Sequence, residues 1–530
     1  MADASLVVVN ARIWTGDAAR PWAEALVVEG ARVAHVGSSA EARKRVASAA
    51  RVIDARGMML TPGFIDAHVH FLQGGLALSS VQLRDADTPA EFSRRIAERA
   101  SRTPRERWIT HGDWDHERWG GTLPHRDWID AATPDHPVWV NRHDSHMSLA
   151  NGAALRGAGI TRDTAEVDGG AIVHDADGEP TGLLKDNARG LVDRIVPPPS
   201  AAEHDAALDA AMSYVAANGV TAVHHMGTWD DLAVFERTHA AGRLGTRIYA
   251  AVPLATWSRL RDRIAVAGRG DSWLRIGALK GFVDGSLGSH TAAMLEPYTD
   301  APHDRGLFVT SPEDLAAWCG AADAAGLHLI VHAIGDHAIR VQLDICERIV
   351  REHGARDRRC RIEHAQHAAP SDQPRFASLD VVASMQPYHA IDDGRWAERV
   401  IGADRAGYTY PIRSLLDGGV RIAFGSDWPV APATPLEGIY AAVTRRTLDG
   451  ANPGGWHPEQ RVTVEDALRA YTSAAAFAGF AEQETGTLTR GKLADFALID
   501  RDITRAAPES LAEARVMMTV VGGRIVHEAI

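Results

Sequence analysis

The chain has 530 residues, 45% of them hydrophobic and 24% charged, and a formal net charge of −13. That length exceeds one compact core and predicts at least two units. The acidic balance argues against a nucleic-acid or anionic-membrane binder, and no apolar run approaches the ~20 residues of a membrane span.

Residues 5–60 read as short strands, LVVVNARIW, ALVVEGARVAHVG and RVIDARGMML, with turn chemistry at Asn10, Gly30 and Gly57. The opening MADASLVVVNARIW has neither the basic region nor the cleavage site of a secretory leader, which predicts a cytoplasmic protein. At the far end, DFALID and VMMTVVGGRIVHE repeat the strand texture. Residues 1–60 and 485–530 are therefore predicted to meet in one small β-sandwich, against the simpler reading of two separate β-caps. Cys319, Cys346 and Cys360 lack CxxC spacing and predict buried thiols in a reducing compartment.

Between these ends, over 61–484, short apolar runs alternate with helical segments. The runs are GFIDAH (63–68), VTAVHHM (220–226), RIYAAVPL (247–254), IGALKGFVD (276–284), LHLIVHA (327–333), RIEHAQ (361–366), VVASMQP (381–387) and RIAFGSD (421–427). Such a series of βα units predicts an α/β fold, a TIM-type (β/α)8 barrel. Ser200, Ser311 and Thr463 begin helix-capping signatures between the runs.

The connection after the first run, roughly 150 residues, is far beyond a normal βα loop. It predicts an insertion over 73–200 with a helix from Thr88 to about Ser101, a strand at VWVNRH and a hairpin around Asp177-Gly178. Trp108, Trp114, Trp119, Trp128 and Trp139 all lie in it. Barrel insertions sit on βα loops, so it is expected to be a lid over the catalytic face. The alternative is an added packing domain remote from the site.

A barrel of this kind carries its site at the carboxyl ends of the strands. There, TPGFIDAHVH (61–70) places His68 and His70 two apart, on one face of a strand. Lys280 lies on strand 4, His332 ends strand 5, His364 ends strand 6 and Asp427 ends strand 8. Singly, each reads as a core histidine, an ion-pair partner or a helix cap; together, at one end of one barrel, they read as a ligand set. Four imidazoles and a carboxylate suit Zn²⁺ or a similar ion. A neutral lysine that captured CO₂ would bridge two ions as a carbamate, with a hydroxide between them and Asp427 as proton shuttle.

HVH, the strand-4 lysine, the two later histidines and the GSDWP aspartate together resemble the amidohydrolase superfamily of metal-dependent hydrolases, over nearly the whole chain. GTLTRGKLADFALID looks like that superfamily's return to its sandwich. DWDHERWGGTLPHRDWID, VNRHDSHMSLAN, LKGFVDGSLGSHTAAMLEPY, VHAIGDHAI and IEHAQ resemble the branch typified by N-substituted formamide deformylase. The resemblance implies His68, His70, Lys280, His332, His364 and Asp427 as the metal set, two Zn²⁺ bridged by carboxylated Lys280, and a homodimer. Ser145 stands where it leads one to expect glycine.

His146 is a candidate donor to a substrate oxygen. His224 and His225 alternate, so at most one enters the cavity, and His225 is the one expected there. Asp284, with Gly285 and Ser286, is expected to shape the loop over the metals. Trp114, Tyr388 and Trp428, with His389, are candidates for an aromatic pocket. The expected reaction is hydrolysis of a small N-substituted formamide or N-acyl amine, with Asp427 as general base and then acid. A one-metal deaminase or cyclic amidase is the alternative on the same fold. A non-catalytic binding protein would be marked by a lost ligand, and none is missing.

Overall fold

The computed structural model describes residues 4–46 and 50–529. Its centre is an eight-stranded parallel sheet. The strands are β1 (Phe64–Val69), β2 (Val220–Met226), β3 (Arg247–Pro253), β4 (Leu274–Phe282), β5 (His328–Ala333), β6 (Arg361–His364), β7 (Val382–Met385) and β8 (Ile422–Phe424). They neighbour one another in chain order. Nearly every residue in them is buried, which is why they read as unbroken apolar runs.

The sheet closes just beyond the ends of β1 and β8. Asp427 N donates to His68 O at 2.7 Å, and His70 N donates to Trp428 O at 2.8 Å. Asp66 adds a side-chain tie across the same seam, accepting from Ser426 N (2.8 Å) and Ser426 Oγ (2.5 Å). The helices between strands open as their caps demand. Ser200 and Glu203 form a capping box on Ala201–Ala217, Thr463 and Asp466 form one on Val464–Ala470, and Ser311 caps Pro312–Ala324.

Both chain ends build the sandwich. One sheet holds Ala4–Val9, Ala25–Glu29, Arg32–Gly37 and Arg51–Asp54; the other joins Met59–Pro62 antiparallel to Phe496–Ile499. Leu6, Val8, Leu26 and Val28 from the first sheet meet Leu60, Phe496, Leu498 and Val520 from the second in one core. A buried ion pair fixes the sandwich to the barrel: Arg247, at the start of β3, donates to Asp495 at 2.7 and 2.9 Å.

The insertion between β1 and β2 has its own five-stranded sheet, ordered Gly170–His174, Pro180–Asp186, Met147–Ala150, Val138–Asn141 and Ile109–Thr110. Helix Pro89–Arg102 buries Phe92 beside it, and the rings of Trp114, Trp119 and Trp128 lie 5.7–6.4 Å from that of Phe92. The tryptophan-rich texture is thus largely a core. Among the described residues no helix is long and apolar enough to cross a membrane.

Candidate metal centre

The strand-end residues converge. Asp427 Oδ1 lies 3.3 Å from His68 Nε2 and 3.3 Å from His70 Nε2, and Lys280 Nζ lies 3.3 Å from His68 Nε2. One ligand atom each from His68, His364 and Asp427 fall within 4.8 Å of one another. The ring of His332 stands 4.6 Å from that of His364. Both His364 (φ +70°) and Asp427 (φ +62°) hold left-handed backbone. For side-chain-bearing residues that costs of order 1–3 kcal/mol each, a strain typical of functional sites.

Three of the histidines are held from behind through one ring nitrogen. His68 Nδ1 donates to Glu363 Oε2, so its Nε2 lone pair faces Asp427 and Lys280. His364 Nδ1 pairs with Gln386 Oε1 at 2.8 Å, and His332 Nε2 donates to Gly285 O at 2.9 Å. Such outer partners orient metal-binding imidazoles and raise their basicity. Glu363 is anchored by Arg361, itself 0% exposed, which also bonds His224 Nδ1 (2.8 Å), Ser384 Oγ (2.9 Å) and Ala67 O. The barrel interior below the centre is therefore a satisfied ionic network rather than an apolar plug.

The protonation states suit cation binding. Burial keeps His70, His332 and His364 below the ordinary imidazole value, so they are neutral donors. Burial also brings Lys280 down to about 8. Burial opposes ionisation of Asp427, but His68 and His70 outweigh it and hold the carboxyl well below its usual range. Asp427 Oδ1 is nevertheless buried with no hydrogen-bond partner among the described residues. An orphaned carboxylate oxygen faced by imidazole nitrogens fits a divalent cation.

The other expected residues divide. His146, from the insertion, reaches the centre: its ring lies 5.1 Å from that of His332 and its Nδ1 bonds Asp186. Burial disfavours its charged form, but Asp186 prevails and raises it. Trp428 stacks on Tyr214 (5.0 Å, 21°) behind Asp427. Tyr388 and His389 sit on helix Pro387–Asp393; the His389 ring stacks over His364 at 6.3 Å, with a buried Nε2 that has no partner among the described residues.

Two expected pocket residues, Trp114 and His225, are placed elsewhere, and Asp284 stands among backbone amides rather than facing a substrate space. Trp114 is 0% exposed in the insertion core, its Nε1 donating to Val140 O at 2.9 Å, because the indole fills the space beside Phe92. His225 points to the helix side of β2, accepting from Phe71 N (3.0 Å) and meeting Asp231 (3.3 Å). His224 is the one that turns inward, to the barrel floor. Asp284 lies behind His332 and accepts three backbone amides, from Ala293, Ile334 and Gly335, with burial pushing its carboxyl up to about 7. Glu363 and Arg361 were not among the expected residues, although two charges two apart on a buried strand must share a face and pair.

The profile of the amidohydrolase family matches residues 51–527. The chain belongs to the amidohydrolase family. Among proteins it resembles are Protein LONG AFTER FAR-RED 3 of Arabidopsis thaliana, 38% identical over 98% of this chain and 91% of the relative, and N-substituted formamide deformylase of Arthrobacter pascens, 31% identical over 99% and 98%. An uncharacterized metal-dependent hydrolase from Pyrococcus horikoshii OT3 superposes with TM-score 0.76 at 27% identity, covering 95% of this chain and 99% of that one. This amidohydrolase is a metal-dependent enzyme for carbon–nitrogen bonds and takes a divalent cation. At Ser145 the amidohydrolase chain keeps a φ of +61°, the backbone that glycine favours, without having glycine.

Proposed function

We propose that this amidohydrolase hydrolyses a small N-substituted formamide or N-acyl amine. The observation that carries the proposal is the orphaned Asp427 carboxylate among His68, His70 and His364, on a chain similar almost end to end to a formamide deformylase. His68, His70, Lys280, His332, His364 and Asp427 would hold two divalent ions, Zn²⁺ first among candidates, Lys280 through a carboxylated amine. When bound, such ions lower the pKa of water and polarise a carbonyl.

Asp427, held ionised by its neighbours, takes the proton of the attacking water. It then delivers that proton to the nitrogen that leaves as the amine. His146 holds the substrate's carbonyl oxygen from the opposite side. Trp428, Tyr388 and His389 wall the space for the N-substituent, and the insertion that carries His146 acts as a lid, which its approach to His332 supports.

A one-cation site is the second reading, favoured by the tight grouping of His68, His364 and Asp427 while His332 Nε2 turns to Gly285 O. Metal content per subunit separates the two. The function itself is tested by screening N-formyl and N-acetyl amines with Zn²⁺-loaded, chelated and Asp427→Asn protein. Chelation is expected to abolish turnover and Zn²⁺ to restore it. Asp427→Asn is expected to keep the fold while lowering kcat 10²–10⁴-fold. Full activity in verified metal-free protein would refute the metal mechanism.

A further inference from the structure

Asp186 closes the insertion strand Pro180–Asp186 with φ 44° and ψ −123°, a combination that residues with side chains avoid. Its amide donates to His146 O at 2.9 Å, and its Oδ1 accepts from His146 Nδ1 at 2.5 Å. The side chain is 2% exposed, and Oδ2 is buried without a partner among the described residues. One carboxylate thus grips a single imidazole by backbone and side chain together, in a strained conformation.

The carboxylate also lands on the barrel. A Cβ on Gly285 would lie 2.8 Å from Asp186 Oδ2 and 2.0 Å from Thr291 Oγ1, so the approach requires glycine there. Gly285 O is the acceptor for His332 Nε2. Three residues on, a Cβ on Gly288 would lie 2.5 Å from the Arg142 guanidinium nitrogens, and Asp144 accepts from Ser286 Oγ and from Ser289 Oγ (3.0 Å). The DGSLGS segment at 284–289 is therefore a landing site: glycines where insertion side chains descend, serines that bond them.

A merely structural Asp–His pair needs neither the strained backbone nor the contact beneath it. With Nδ1 committed to Asp186, Nε2 lies on the ring's other edge, and the ring stands 5.1 Å from that of His332. We propose that Asp186 is a positioning residue that locks His146 through Nδ1 and aims Nε2 at the carbonyl oxygen of the substrate. The proposal rests on the hydrolase reading above for the substrate, and on geometry alone for the lock.

The test uses Zn²⁺-loaded full-length enzyme with Asp186→Ala, Asp186→Glu, His146→Gln and the double variant Asp186→Ala/His146→Gln, each checked for metal content. Asp186→Ala and His146→Gln are each expected to lower kcat about 10²-fold with little change in KM, as the loss of one oxyanion donor does. The double variant is expected to be no worse than His146→Gln, since the effect passes through that ring. Asp186→Glu is expected to recover part of the loss. Losses that multiply in the double variant, or an Asp186→Ala with wild-type kcat, would overturn the assignment.

A second readout needs no substrate. In protein labelled with ¹⁵N-histidine, a far-downfield imidazole proton is expected in the wild type and absent from both Asp186→Ala and His146→Gln. Its persistence in Asp186→Ala overturns the lock. Should Asp186→Ala not fold, the isosteric Asp186→Asn takes its place in both measurements. Should the wild type cleave no N-formyl or N-acyl amine, the substrate reading fails, and the resonance alone decides for or against Asp186.

Discussion

Behind His68, the Glu363 carboxylate takes the Nδ1 proton while Arg361 neutralises it, all three side chains 0% exposed. Glu363→Gln is expected to weaken Zn²⁺ binding 10–100-fold, the usual effect of losing such an outer partner. It is also expected to destabilise the protein by about 3–5 kcal/mol, because Arg361 becomes an uncompensated buried charge. Zinc titration and denaturant unfolding of the one variant check both; wild-type values in each would remove Glu363 from the account. Asp393 gives the opposite electrostatic case. Burial pushes its carboxyl up to about 7, with Gln366 Nε2 (2.9 Å) and Tyr410 Oη as donors. The folded state then holds a proton that the unfolded chain releases near pH 4, so this contribution to stability falls as pH rises from about 4 to 7 and stays lost above. Asp393→Asn removes that titration. Its unfolding free energy relative to wild type is expected to be higher at pH 8 than at pH 5, and an equal difference at both would refute the assignment.

Elements were legible in the sequence where one physical rule dominated. The barrel strands are buried on both faces, so their apolar runs stand out even when short, as β8 (Ile422–Phe424) is. Caps at Ser200 and Thr463 announced their helices because the capping box is local chemistry. The convergence of His68, His70, His332 and His364 was legible because strand ends share one rim. What could not be read were pairings set by packing between distant segments: Gln386 behind His364, Glu363 behind His68, and Asp186 against Gly285. His225 misled because alternation fixes that two neighbours diverge but not which one turns inward. The DGSLGS loop carries an element-scale prediction. Gly285→Ala would press on Thr291 and Asp186, and overpacking of this kind costs typically 1–3 kcal/mol. The expected outcome is a lower melting temperature together with faster proteolytic cutting within residues 73–200; unchanged cutting would mean that the insertion does not depend on that landing.

At the scale of the whole molecule, the two chain ends share a sandwich, and Arg247–Asp495 rivets it to the barrel at the face opposite the metal centre. A ligand that binds only the folded state stabilises it by RT ln(1 + [L]/Kd), about 2.7 kcal/mol at a hundred times Kd. Chelation is therefore expected to lower the melting temperature measurably, and calorimetry with and without Zn²⁺ checks this. The backbone bonds that shut the barrel are made by the very residues that would grip the ion: Asp427 N to His68 O, and His70 N to Trp428 O. A cation there would act as the hoop on a cask, fastening the first and last staves where they meet. Stripping it should let those two amide protons trade with solvent sooner than their neighbours in mid-strand, so that cofactor loss is felt first as a loosened joint rather than as a vacant pocket.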